Sequence, residues 1–69
     1  MANKVYKNLE LTGTSETTLE DAINSAVKKA SATVRHMRWF EVTEIRGAIT
    51  DDHVMQWQVT VKIGFALED

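Results

Sequence analysis

Hydrophobic and polar positions alternate at both ends of this chain and recur at threes and fours in between. Val5, Leu9 and Leu11 fall on odd positions, with Tyr6, Asn8, Glu10 and Thr12 between them. That period predicts a first strand over roughly 3–12 with one apolar face, on which Lys7 is the exception. Gly13-Thr14-Ser15 is expected to break the strand. Leu19, Ala22, Ile23, Ala26, Val27, Ala30 and Val34 then form the stripe of an amphipathic helix. Ser15 or Thr17 can cap it, and Thr17 with Glu20 has capping-box spacing. Glu20 and Asp21 near its start and Lys28 and Lys29 near its end suit the helix dipole, and its end is expected near Arg35. The alanines make the stripe thin, which allows a close approach to a sheet.

Two long strands follow, roughly 37–49 and 53–67, joined by the short polar segment Thr50-Asp51-Asp52, so the pair should be an antiparallel hairpin. The last strand is two-faced. Met55, Trp57, Val59, Val61, Ile63, Phe65 and Leu67 lie on one side; Gln56, Gln58, Thr60 and Lys62 lie on the other. Strands of this length are long for so small a protein, and one alanine-rich helix cannot cover that much apolar sheet. The order is β-α-β-β, an α+β arrangement expected to occupy 1–69 as a single domain.

Composition sharpens this. A 69-residue chain is marginal alone. Small chains usually add disulfides, a metal or oligomerisation. No cysteine is present, and His36 and His53 lack ligand spacing, so self-association is the remaining common remedy. The net charge of −2 without a basic block disfavours nucleic acid. No apolar run is long enough to span a membrane, and Met1-Ala2-Asn3-Lys4 lacks the apolar core of a signal peptide. A cytoplasmic protein is the default expectation.

Five side chains stand out. Strand parity puts Trp39 with Glu41 and Thr43 on the more polar face, where Gln58 also lies, and turns Phe40 and Val42 toward the helix. Trp39 is then either an apolar plate at a subunit contact or a stacking platform for a ring. Gln58 is either a solvated strand residue or a carboxamide that meets a ring edge bearing adjacent acceptor and donor groups. Arg46 can hold a phosphate, or pair with Glu41 or Glu44. Its parity matches Phe40, so reaching the ring face requires a bulge, for which Gly47 is a candidate, or a contribution to another subunit's site. Tyr6 and Lys4 are either edge-strand surface or partners for an anionic tail. Trp57 lies on the apolar face as core or interface. Gly13-Thr14-Ser15 can accept an anion at the helix start but is too common to count as a motif. No catalytic constellation and no metal site is expected.

Taken in order, Glu10-Leu11-Thr12-Gly13-Thr14-Ser15, Trp39-Phe40-Glu41-Val42, Arg46-Gly47, Gln58-Val59, Gly64-Phe65 and Leu67-Glu68-Asp69 resemble the dodecins, small flavin-binding proteins. The resemblance covers essentially the whole chain. It implies a three-stranded antiparallel sheet wrapped around one helix, assembled into a hollow dodecamer. It implies flavins bound in antiparallel pairs near two-fold axes, between tryptophans of two subunits. Trp39 matches the family's stacking tryptophan, Gln58 its ring-edge glutamine, Arg46 the arginine of bacterial-type members and Tyr6 the tyrosine near the chain start. The ligand is expected to be FMN, riboflavin or another flavin. Ala66 departs from the arginine many bacterial-type members carry there, which puts a further anionic ligand such as coenzyme A in doubt. The expected function is flavin storage or sequestration, with quenching that limits photochemistry and no substrate turnover. The competing expectation is a flavin-dependent electron carrier or redox enzyme.

Overall fold

A computed structural model describes residues 3–67; Met1 and Ala2, and Glu68 and Asp69 of the C-terminal matching piece, lie outside the described residues. The elements are β1 (Tyr6–Ser15), α1 (Leu19–Ser31), β2 (Met37–Thr50) and β3 (His53–Ala66). They form a three-stranded sheet in the order β1-β3-β2, antiparallel throughout. The predicted β-α-β-β order and the β2–β3 hairpin are present. The hairpin turns on Asp51 and Asp52, with φ of 51° and 74°. Positive φ at both central residues is the primed turn that matches the twist of the flanking strands, and aspartate tolerates it.

The first strand starts later and runs further than the alternation predicts. Gly13-Thr14-Ser15 does not break it; all three pair with β3. Gly13 is buried in the strand because the helix crosses there. A Cβ at this position would overlap the Ala22 carbonyl oxygen and stand 2.9 Å from the Ala26 Cβ. The glycine is therefore a packing device, not punctuation.

The cap also differs from expectation. Thr18, not Ser15 or Thr17, is the N-cap, accepting from the Asp21 amide at 2.9 Å. The Ser15 hydroxyl instead accepts from the Thr17 and Thr18 amides and donates to the Asp21 carboxylate at 2.7 Å. It ties the end of β1 to the first helical turn. The helix stops at Ser31, short of Arg35, in a tightened turn where the Thr33 and Val34 amides both bond the Ala30 carbonyl. Val34 thus lies past the helix. His36, with φ 64°, turns the chain into β2.

The core is small. Ala22, Ala26 and Ala30 pack on Val59, Val61 and Ile63, and all six are buried. The helix lies over β1 and β3. Phe40 and Val42 do face the helix side, paired with Ile63 and Val61. Yet Phe40 stays half exposed, because α1 packs mainly over β1 and β3. A 13-residue helix is roughly 20 Å long, whereas a 14-residue strand spans roughly 46 Å. The overhang is bare: Ile45, Ile49, Val54 and Met55 toward the hairpin are exposed, Ile49 by 73%. The molecule is correspondingly elongated, at 57 × 20 × 13 Å.

Candidate functional site

The sheet face turned away from the helix carries the candidate residues, and register places them. Odd positions of β3 bury Val59, Val61 and Ile63 under the helix, so Gln58, Thr60, Lys62, Gly64 and Ala66 face the other way. Tyr6 pairs with Ala66, Trp39 with Gly64, Glu41 with Lys62 and Arg46 with Gln58. All four predicted site residues therefore share one face.

Arg46 reaches that face through a bulge. Val42 pairs with Val61 but Glu44 pairs with Thr60, so the register shifts across Thr43 and the parity of β2 flips beyond it. The bulge lies at Thr43, not at Gly47. The Thr43 hydroxyl sits within 3.2 Å of both the Glu10 carboxylate and the Thr60 carbonyl.

The face has two ends. At one end the Trp39 indole is 45% exposed, and a Cβ on Gly64 would overlap its benzo ring. Tyr6 meets Trp39 edge-on, with ring centroids 4.9 Å apart and planes at 63°. At the other end Arg46 Nε donates to Gln58 Oε1 at 2.7 Å, and Gln58 Nε2 donates to Gln56 Oε1 at 2.9 Å. Arg46 thus takes Gln58 rather than Glu41 or Glu44 as its partner among the described residues. The carboxamide is oriented by these bonds and keeps one N–H and one lone pair for a further partner. Between the ends lies a polar strip in which Thr12 and Thr60 share a 2.7 Å hydrogen bond.

Sharing a face does not bring the four together. Trp39 sits opposite Gly64 and Gln58 lies six positions back along β3, a run of roughly 20 Å. The run is measured along the backbone, and it makes Trp39 and Gln58 the two ends of the face rather than neighbours. Tyr6 belongs to the tryptophan end and Arg46 to the glutamine end.

Lys4 is exposed ahead of β1, and Ala66 stands beside the tryptophan end without a charge. Trp57, opposite Gly47 and Ser15, is partly buried on the helix side as expected. Sequence reasoning missed Gly64, Gln56 and Thr43 as parts of the site. Gly64 was visible only as a motif letter. A bulge leaves no residue type that marks it, beyond the parity conflict at Arg46. Among the described residues no group of three or more histidine, aspartate or glutamate side chains can hold a metal ion. No helix among the described residues is long and apolar enough to cross a membrane.

The dodecin family model matches residues 5–68. The chain belongs to the dodecin family. It is 53% identical over 66 residues to the dodecin of Thermus thermophilus, with 96% of each chain covered. A solved Thermus thermophilus structure, that of the tt0972 protein, superposes with a TM-score of 0.93 at 52% identity, covering 97% of this chain and 98% of that one. The dodecin of Streptomyces coelicolor also superposes at 0.93, with 46% identity and 100% and 99% coverage. The dodecin fold is therefore common to this chain and these relatives.

Proposed function

We propose that this dodecin binds flavin, FMN or a close relative, and stores it inside a closed homo-oligomer of twelve copies. The observation that supports this best is the one face that carries both a half-exposed indole seated on glycine and a carboxamide oriented by arginine. A flavin ring system is flat and electron-poor, so it stacks well on an indole. Its imide edge alternates acceptors and a donor, which a carboxamide complements. Its phosphate tail suits a guanidinium.

The roughly 20 Å between Trp39 and Gln58 adds a constraint. That separation supports a site in which the two come from different copies of the chain. The overhanging apolar sheet supplies a reason for such contacts, since Ile45, Ile49, Val54 and Met55 stay exposed among the described residues of one chain. The ligand then sits where copies meet. Two flavins stack on each other between the Trp39 rings of two copies. Electron transfer from the indole quenches the excited flavin, which limits its photochemistry while it is held. The role is sequestration and photoprotection in the cytoplasm, without turnover of a substrate.

Titrating FMN and riboflavin into the purified protein tests this. Flavin fluorescence should fall strongly on binding, with two flavins per site and cooperative uptake. Light scattering on the ligand-free protein should give a large closed oligomer. A bright bound flavin, no binding, or a well-folded monomer at micromolar concentration would each overturn the reading.

A further inference from the structure

The Trp39 indole is set by what lies under it. A Cβ on Gly64 would overlap Cε2 and Cζ2 and stand 2.7 Å from Cη2. Three neighbouring atoms of the benzo ring are met together when a ring lies face-on, so the indole rests flat on the Gly64 backbone. No glycine in the described chain has positive φ. Glycine is needed at 64 for space, not for backbone conformation. Tyr6 abuts the same indole at 4.9 Å. Nearly half of the Trp39 surface nonetheless stays open.

We propose that Gly64 is a positioning residue of the binding site: its missing side chain seats the indole flush on the sheet and leaves one ring face for a ligand. Tyr6 blocks the indole from sliding and so fixes its orientation. Two consequences follow. Each Trp39 stacks on one ligand ring at most, because its other face is already covered by backbone. The height of the indole above β3 also sets the gap between paired indoles. Any side chain at 64 lifts or turns the ring, which narrows or skews that gap. The ligand is the flavin proposed above, and to that extent the inference rests on that reading; the seating of the indole does not.

The test separates the two. In a Trp57→Phe background Trp39 is the single indole. In the ligand-free oligomer, adding Gly64→Ala should change the near-ultraviolet circular dichroism of Trp39 and speed its fluorescence depolarisation, with far-ultraviolet signal and particle size unchanged. FMN should then bind weaker by about fivefold, the scale of a lost stacking geometry, and bound flavin should regain part of its fluorescence. The effect of Gly64→Ala should shrink when combined with Trp39→Phe, since neighbours acting through one contact are not additive. If Gly64→Ala alone does not assemble, Gly64→Ala with Trp39→Ala should, because the ring that the methyl would meet is gone. Unchanged Trp39 signals, additive losses, or a double variant that still fails to assemble would show that Gly64 serves the fold and not the indole. Wild type that binds no flavin would sink the functional reading while the ligand-free signals still decide the seating.

Discussion

The two ends of the open sheet face are built by opposite means. At the Trp39 end the essential partner is an absence: glycine removes a side chain so that a ring can lie on backbone, and Tyr6 packs on its edge. At the Gln58 end the parts are present and bonded, with arginine, glutamine and glutamine in a chain of 2.7 and 2.9 Å hydrogen bonds. The first end offers area and dispersion, which are strong and tolerant of which flat ring arrives. The second offers direction, which is weaker and selective. A ligand that uses both gains most of its affinity at one and most of its orientation at the other.

Breaking the tryptophan end should therefore do the most. Trp39→Ala removes a stacking ring worth ~1.5–3 kcal/mol in burial plus roughly 1 kcal/mol of aromatic geometry. Flavin affinity should fall by about a hundredfold or more, with particle size unchanged, because the ring packs on the surface and not in the core. Flavin fluorescence titration and light scattering read the two separately. Undiminished affinity and quenching would remove the stacking role. The same variant sharpens the separation of the ends. Particles co-assembled from Trp39→Ala and Gln58→Leu chains should regain a high-affinity fraction that neither parent has. Recovery would mean that the two ends of one site come from different copies; its absence would place both on one chain.

Gln58→Leu alone comes next. A lost hydrogen bond to a buried partner costs ~1–3 kcal/mol, so affinity should fall by about one to two decades while quenching of the flavin that does bind persists. Weak binding with full quenching is the signature of lost direction without lost stacking. A loss below about twofold would mean that Gln58 meets only solvent.

How far each end was legible follows from how it was built. Periodicity was enough for the order of elements, since the helix stripe and the two-faced β3 are each strongly patterned. It failed at the edges of those elements for local reasons. Gly13 looks like a breaker in sequence but is a buried strand residue against Ala22 and Ala26. Ser15 and Thr17 both read as caps, yet the hydrogen bonds give the cap to Thr18. Parity correctly put Trp39 and Gln58 on one face. It could not put Arg46 there, because one bulge residue at Thr43 inverts every later position of β2. Nor could it reveal that face-sharing residues lie far apart, since that depends on register, which a single strand does not encode. The resemblance supplied the proposed residue roles; the register supplied the separation between the two ends.

Arg46→Ala should have the smallest effect on the ring and the clearest effect on the tail. Its Nε bond to Gln58 orients the amide, and its other guanidinium nitrogens are where an anionic tail would be met. Removing it leaves Gln58 tethered to Gln56 alone. Riboflavin, which has no phosphate, should lose only about threefold, through a less ordered amide. FMN should lose about tenfold, as expected for an exposed charge-assisted contact that a bound ligand partly covers. The ratio of the two dissociation constants, measured at low and at high salt, isolates the tail. For wild type the preference for FMN should shrink as salt rises, and for the variant it should be small at both. An FMN preference that survives Arg46→Ala would hand the phosphate to another cation, with exposed Lys4 near the tryptophan end the first to test. It would leave Arg46 with a single role, that of holding Gln58.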